Sequence, residues 1–342
     1  MKKNLVYIGL AALALSMNAC SNGDNEFPDF DYQTVYFANQ YGLRTIELGE
    51  DINNDNSLDN AHRCAIKATW GGGYDNRNNV LIDFKVDNTL CDHLYFKGTD
   101  TPVTPMPESY YQLAGNNIQI PSGQTMGGVE VQLTDAFFAD PKSVEANYVI
   151  PIRMTGQQGV DSILSGKPAF ENPVLTNSSD WTVQPKNFVL YCVKYVNPFH
   201  GEYLRRGVDT GTIGGQQVNR VRHALYVEKD EVVQANTLSL KNNSMVIKVK
   251  DKDGADKQFT LKMQFADDNT CTLSSDDATV SGTGKFVSKG EKNSLGGQDR
   301  DAIYLDYSLK LTDGDIQVAT KDTLVLRTRN VYGGTTFEVE RR

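Results

Sequence analysis

The strongest constraint on this chain is a two-residue rhythm that starts near residue 34 and recurs almost to the C-terminus. Val35 and Phe37 open it. Cys64, Ile66 and Ala68 alternate with Arg63, Ala65 and Lys67, and Ile82, Phe84 and Val86 with Asp83 and Lys85. Val129, Val131 and Leu133 alternate with Glu130 and Gln132, and Tyr148, Ile150, Ile152 and Met154 keep the same beat. Successive strand residues point to opposite faces, so this pattern predicts antiparallel strands half-buried against a core. Turn residues punctuate it, as at Gly71-Gly72-Gly73 and Pro121-Ser122-Gly123. No long helical period interrupts it, which excludes doubly wound and βα-barrel architectures. The expectation is an all-β chain whose first block, 34–186, is an immunoglobulin-like β-sandwich.

Residues 156–186 break the rhythm with Gly156, Gly159, Gly166, Pro168, Pro173 and Pro185, and from about 156 they read as a linker. A C-terminal domain is therefore placed at 187–342, with Phe188 to Val193 either closing the first block or bridging into the second. In that second block Ile247 and Val249 lead into a turn at 251–257, and Phe259, Leu261, Met263 and Phe265 return on one face. Ile303, Leu305, Tyr307, Leu309 and Leu311 alternate next, then Thr312-Asp313-Gly314-Asp315 turns the chain toward Leu324-Val325-Leu326. Consecutive hairpins of this kind predict an antiparallel meander, a small barrel or a sandwich. The 342 residues suffice for about two such domains, each with its own core.

The N-terminus reads as an address. Lys2 and Lys3 precede an apolar stretch from Leu5 to Leu15, which is too short to span a bilayer and suits a secretory signal. A small residue, Ala19, stands directly before Cys20. The expectation is a signal peptide over 1–19, a lipidated Cys20, and a polar tether over 20–33. Acyl chains contribute ~0.8 kcal/mol per buried CH₂, so several on one cysteine hold firmly. Ser21-Asn22-Gly23-Asp24-Asn25-Glu26 resembles the acidic signals that send lipoproteins of some gut anaerobes to the outer face of the outer membrane. Removing Lys2 and Lys3 takes the formal charge from −9 to −9 − 2 = −11, which argues against nucleic acid as a partner. Cys64, Cys91, Cys192 and Cys271 form no CxxC pair and allow three disulfide pairings, although Cys64 and Cys192 sit in apolar alternations that suit buried thiols.

One stretch resembles a known family. Pro107-Glu108-Ser109-Tyr110-Tyr111-Gln112-Leu113, Ile118-Gln119-Ile120-Pro121-Ser122-Gly123, a strand from Gly128 to Leu133, and Tyr148-Val149-Ile150-Pro151-Ile152 follow in order. They resemble the N-terminal domain of unknown function in surface lipoproteins of polysaccharide-utilisation loci, shared with some family 18 endo-β-N-acetylglucosaminidases. Met106 stands where that family usually has Leu. The half from Asn197-Pro198-Phe199-His200-Gly201-Glu202-Tyr203 to Tyr332-Gly333-Gly334 looks like the all-β domain often found behind it. The resemblance implies a cell-surface lipoprotein, facing the exterior, that captures poly- or oligosaccharide for an outer-membrane importer alongside neighbouring surface lipoproteins. No hydrolase domain follows the shared module, so the relatives' activity is not carried over.

Glycan recognition needs flat aromatic faces and nearby amides or carboxylates. Trp70, Tyr74, Asp75 and Asn76 offer these around a glycine loop, and Trp181 offers a ring in the polar stretch Asn177-Ser178-Ser179-Asp180. Asp51, Asn53, Asp55, Ser57 and Asp59 place oxygens at alternate positions, as the start of a calcium loop would. Asn56 stands at the sixth position instead of Gly and His62 at the twelfth instead of Glu, so a solvated loop is preferred and no cofactor is required. His62, His93, His200 and His223 share no metal-ligand spacing, and no HExxH or GxSxG occurs. The reading is a glycan-binding or glycan-presenting lipoprotein that is not an enzyme. The alternatives are an adhesion or structural lipoprotein contacting proteins, and a glycosidase whose carboxylate pair sequence cannot reveal.

Overall fold

The computed structural model describes residues 30–342, so the signal, Cys20 and the tether up to residue 29 lie outside the described residues. The first domain is built from β1 (Thr34–Tyr36), β2 (Gly42–Glu47), β3 (Arg63–Gly71), β4 (Val80–Val86), β5 (Asn117–Ile120), β6 (Met126–Leu133), β7 (Tyr148–Gln158) and β8 (Phe188–Val196). They are ordered β1-β3-β6-β5-β4-β7-β8-β2. The path is pinched between β5 and β6, which share only the pair Gln119↔Gly128. A Cβ at Gly127 would meet the Gln119 carbonyl oxygen at 1.8 Å, so the pinch requires glycine. On either side of it the strands face each other across one core. Val35, Ile66, Trp70 and Val131 come from one layer, and Ile82, Ile118, Ile152 and Tyr195 from the other.

Every neighbouring pair along this path is antiparallel except β8 and β2, which run parallel from Cys192↔Leu43 to Val196↔Glu47. β8 is buried on both faces, which explains why Phe188 to Val193 reads as an apolar run without alternation. Its second face joins a smaller core with Leu90, Leu94, Phe96 and Val149. The first sheet therefore extends to Val196, ten residues past the break expected at 186. The Gly/Pro-rich residues from 156 belong to this domain: Ser162–Ile163 pairs with β1, and Lys167–Pro168 pairs with Trp181–Val183 as a small arm. Cys64, Cys91, Cys192 and Cys271 are all free and buried, and burial pushes each thiol up to about 12.

The second domain runs through β9 (Gly201–Ile213), β10 (Gln216–Arg222), β11 (Glu231–Thr237), β12 (Asn242–Lys250), β13 (Asp256–Phe265), β14 (Thr270–Ser274), β15 (Thr279–Glu291), β16 (Arg300–Leu311) and β17 (Ile316–Thr328). Eight of them, β9-β11-β12-β13-β14-β15-β16-β17, close into a barrel because β9 also pairs with β17 from Glu202↔Thr328 to Ile213↔Ile316. The alternation fills it with Tyr203, Phe259, Leu261, Ile303 and Leu305. Strand β10 stands outside this ring, pairing the second half of β9 where β11 no longer reaches it. The chain then returns to the first domain. β18 (Thr335–Thr336) pairs with β2, and β19 (Val339–Arg341) pairs with Leu94–Phe96, where Phe337 and Val339 cover the smaller core. Among the described residues no helix is long and apolar enough to cross a membrane.

Candidate functional site

The junction between the domains is a set of buried hydrogen bonds. Asn197, the first residue after β8, is fully buried. Its Nδ2 donates to the Ser239 carbonyl at 2.8 Å and to Asn243 Oδ1 at 2.7 Å, while its own Oδ1 accepts from the Phe199 N–H at 3.1 Å. Arg329, just beyond β17, donates through Nη2 to the carbonyls of Asn197 at 2.7 Å and Leu48 at 2.8 Å. It thereby ties the end of the barrel to the first domain. Its Nε lies 3.6 Å from Glu47 Oε1, and neither atom has a hydrogen-bond partner among the described residues. Burial, then the neighbouring Asp51 and Asp59, push the Glu47 carboxyl up to about 7 against the opposing pull of Arg329.

Beside this junction lies a cleft of about 410 Å³ whose walls come from both domains and from the returning tail. Leu43 and Thr45 of β2, Lys194 and Val196 of β8, and Val144 with Glu145 form one wall. His200, Asn236, Thr237 and Leu238 form another, and Asn330, Val331, Tyr332 and Thr335 the third. Tyr332 is 69% exposed, so its ring is available to a ligand. The His200 Nδ1 accepts from the Thr237 N–H at 3.3 Å, which leaves Nε2 as the ring's donor. Burial, with Arg329 and Lys194 adding to it, drops His200 to about 4, so the imidazole is neutral at physiological pH. The cleft thus combines an aromatic face, amides, hydroxyls, a neutral imidazole donor and one charge of each sign. Clefts between domains with a few convergent polar groups are where small ligands commonly sit.

The residues expected from sequence to bind glycan line none of this cleft. Trp70 is only 3% exposed and packs in the sandwich core, its Nε1 within 3.4 Å of Gln33 Oε1. It is the next-to-last residue of β3, whose alternate positions face inward, and this overturns its assignment as a binding ring. Asn76 is also buried, and its Nδ2 clamps the glycine loop to the carbonyls of Pro121 at 3.1 Å and Gln124 at 2.9 Å. Tyr74 and Asp75 are exposed on that loop. Trp181 is half-buried, its indole N–H donating to the Val174 carbonyl at 2.9 Å inside the small arm.

The carboxylates of the 51–59 stretch are engaged within the protein. Asp59 is buried and turned inward, where it accepts from the Glu47 N–H at 2.9 Å and pairs with Arg44. Asp51 and Asp55 cap the N–H groups of Asn53 and Ser57 in their own loop. Among the described residues, no group of three or more acidic, His or Cys side chains is placed to hold a metal. What sequence reasoning missed is Tyr332, together with Asn236 and Glu145. The signal was there in part: Tyr332-Gly333-Gly334 repeats the aromatic-beside-glycine pattern of Trp70-Gly71-Gly72, but after the last long strand, where the ring can stay outside.

Two family models match the chain. One is described as a domain of unknown function, DUF5627, and covers residues 198–330. The other is described as an N-terminal domain and covers residues 30–161. None of the curated proteins matches. Among solved structures, a Bacteroides ovatus protein of unknown function is 65% identical, with 92% of this chain and 100% of that one covered at a TM-score of 0.86. A Bacteroides ovatus multidomain protein including DUF1735 is 13% identical, covering 86% of this chain and 94% of that one, TM-score 0.41. Another Bacteroides ovatus protein of unknown function is 12% identical, covering 88% and 95%, TM-score 0.40. At 65% identity over its whole length, the first of these is a close homologue, and this chain, whose two all-β domains match the N-terminal model and DUF5627, belongs to its family.

Proposed function

We propose that the protein is an outward-facing outer-membrane lipoprotein, anchored through Cys20, that binds glycans for an import system without cleaving them. The observation that carries the binding half is the cleft between the domains, where Tyr332 offers a largely exposed ring beside Asn236, Asn330, Thr45 and the neutral His200. A pyranose presents an apolar face ringed by hydroxyls. An aromatic ring contributes ~1 kcal/mol to such a face beyond area burial, and uncharged amides and hydroxyls meet the rim without a large desolvation cost. The order of Ala19 and Cys20 behind an apolar stretch supports the anchor.

Affinity electrophoresis through gels holding a panel of neutral polysaccharides tests the binding half. At least one polymer is expected to retard the wild type, and Tyr332→Ala to lose that retardation with its melting temperature unchanged, while Trp181→Ala keeps it. Retardation by no polymer, or full retardation of Tyr332→Ala, overturns the site. The anchor is tested by metabolic labelling with an alkynyl fatty acid, which is expected to mark the wild type and not Cys20→Ala; an unmarked wild type overturns the location.

A further inference from the structure

The barrel has a split in its wall. β11 and β12 pair only at Asn236↔Ser244 and Thr237↔Asn243, although β12 continues to Lys250. On the other side of the gap, β10 pairs with β9 alone. Backbone carbonyls left facing such a gap need donors, and two arginines supply them: Arg205 Nη1 reaches the Lys248 carbonyl at 3.2 Å and Arg220 Nη1 the Lys250 carbonyl at 2.9 Å. The split holds a cleft of about 470 Å³, distinct from the one between the domains.

Its charge is opposite to that of the protein as a whole, which carries −9. Beneath it, Arg205 is paired with Asp322 and Glu231, and Arg222 with Asp209 and Asp322. At its edge Lys250 is paired with Asp256. Three further cations that line it, Arg220, Lys229 and Lys248, have no carboxylate within ion-pairing distance among the described residues. Arg222 commits Nε and Nη2 to its two carboxylates, and its Nη1 is buried without a hydrogen-bond partner. A guanidinium N–H left so is costly unless something accepts from it. Cations without a carboxylate partner that line a cleft are the chemistry that takes an oxyanion, which forms short charge-assisted hydrogen bonds with them.

We propose that this split is a binding site for the acidic group, carboxylate or sulfate ester, of a charged saccharide. A polyanion of high charge density fits poorly, because three acids, Asp230, Glu231 and Asp256, also line the cleft. Carboxylates placed among cations in this way suit a sparse anion whose remaining contacts are hydroxyls. The loop between β10 and β11 adds an apolar face, with Tyr226 61% and Leu225 85% exposed beside the lining residues Ala224 and Lys229. That the anion is carried by a sugar rests on the glycan-binding reading above; the oxyanion chemistry does not.

The test is isothermal titration of the mature chain, at low and at moderate salt, with dextran bearing sparse carboxymethyl groups for the carboxylate, dextran bearing sparse sulfate groups for the sulfate ester, and unmodified dextran as the neutral arm. Binding of either acidic polymer, weakened by salt and at least tenfold tighter than dextran, is the expected result, and the polymer that binds names the group. The paired substitution Lys229→Ala with Lys248→Ala, both on exposed side chains, is expected to cost tenfold or more in that affinity while Tyr332→Ala leaves it unchanged. Acidic polymers that bind no better than dextran, or that bind the double-lysine variant as tightly as the wild type, overturn the proposal. Loss of acidic binding alone leaves the cleft between the domains standing, and loss of neutral retention alone leaves this site standing.

Discussion

Among the largest side chains that are almost wholly buried, the first domain contributes Tyr195, Phe37, Phe137 and Phe138, whereas the barrel contributes Arg205 ahead of Tyr203 and Phe259. The sandwich is held by rings and aliphatic chains that can shift by fractions of an ångström and stay in contact. The barrel encloses Arg205, Arg222, Asp209 and Asp322 in one network that Tyr307 joins through its hydroxyl, 3.1 Å from Asp322. Burial works against the charge on Arg205, yet Asp322, Tyr307 and Glu231 beside it hold it firmly protonated. An apolar core loses stability in proportion to what is removed, while an ionic one fails when a single partner leaves another charge unpaired. The network lies behind the split in the wall, so the two domains differ in what they can offer a ligand as well as in how they hold together.

The largest expected effect breaks this contrast at its charged end. Arg205→Met keeps most of the volume but strips Asp322 of one guanidinium and leaves the Lys248 carbonyl without its donor. Removing one member of a buried pair costs about 3–5 kcal/mol, so chemical denaturation should report a loss of that size in the barrel. A variant as stable as the wild type would mean that the network contributes no stability as a unit.

The next effect lies in the first domain. Ending the chain at Asn330 uncovers the smaller core over which Phe337 and Val339 pack, and removes the β18 and β19 pairings. At ~1.5–3 kcal/mol for burying one large apolar side chain, about 3 kcal/mol should be lost. Hydrogen exchange should locate the loss in β2 and Leu94–Phe96 while barrel amides keep their protection. Equal deprotection of both domains would show that the tail holds the junction instead.

The same contrast governs what could be read from the sequence. Seven of the barrel's eight strands follow one another as neighbours, so each hairpin at Ile247, Phe259 or Ile303 could be recognised locally and only closure was left open. In the sandwich the strand order is non-sequential, β2 pairs β8 across nearly 150 residues of chain, and β18 joins from the other end. Alternation names the strands and their buried faces but carries no information about such partners. It also fails where both faces are buried, which is why Phe188 to Val193 reads ambiguously. The site suffered for the same reason. The glycine loop beside Trp70 suggests a binding ring, yet its position on the alternating face of β3 places it in the core, whereas Tyr332 becomes part of a cleft only through the return of the tail.

A medium effect tests the junction that joins the two cores. Glu47 has its carboxyl raised from 4.5 to about 7, chiefly by burial. A raised acid pKa means that the folded state holds the proton more tightly. The contribution is therefore fully present below the unfolded value and is lost as pH climbs through the folded one. Between pH 5 and pH 8 the wild type should lose about 2 kcal/mol that Glu47→Gln does not lose. Identical pH dependence in the two proteins would show that Glu47 is ionised throughout and that Arg329 compensates its burial in full.

The smallest effect is the sharpest comparison, because it lies one residue from Asp322, the inner partner of Arg205. Lys321 and Asp322 are adjacent on β17 and point to opposite faces. Asp322 faces inward to Arg205, while Lys321 faces outward, directly across from Asp306 of β16, with an N–O distance of 3.0 Å. Their side chains are 78% and 62% exposed, so water screens the pair and the ordered side chains lose entropy. A double-mutant cycle of Lys321→Ala and Asp306→Ala should give a coupling of about 0.5 kcal/mol or less, smaller still in high salt. Charge, geometry and strand are nearly the same as for the inner pair; only burial differs. A coupling at Lys321 and Asp306 that approached the loss at Arg205 would mean that burial is not what sets the barrel's ionic core apart.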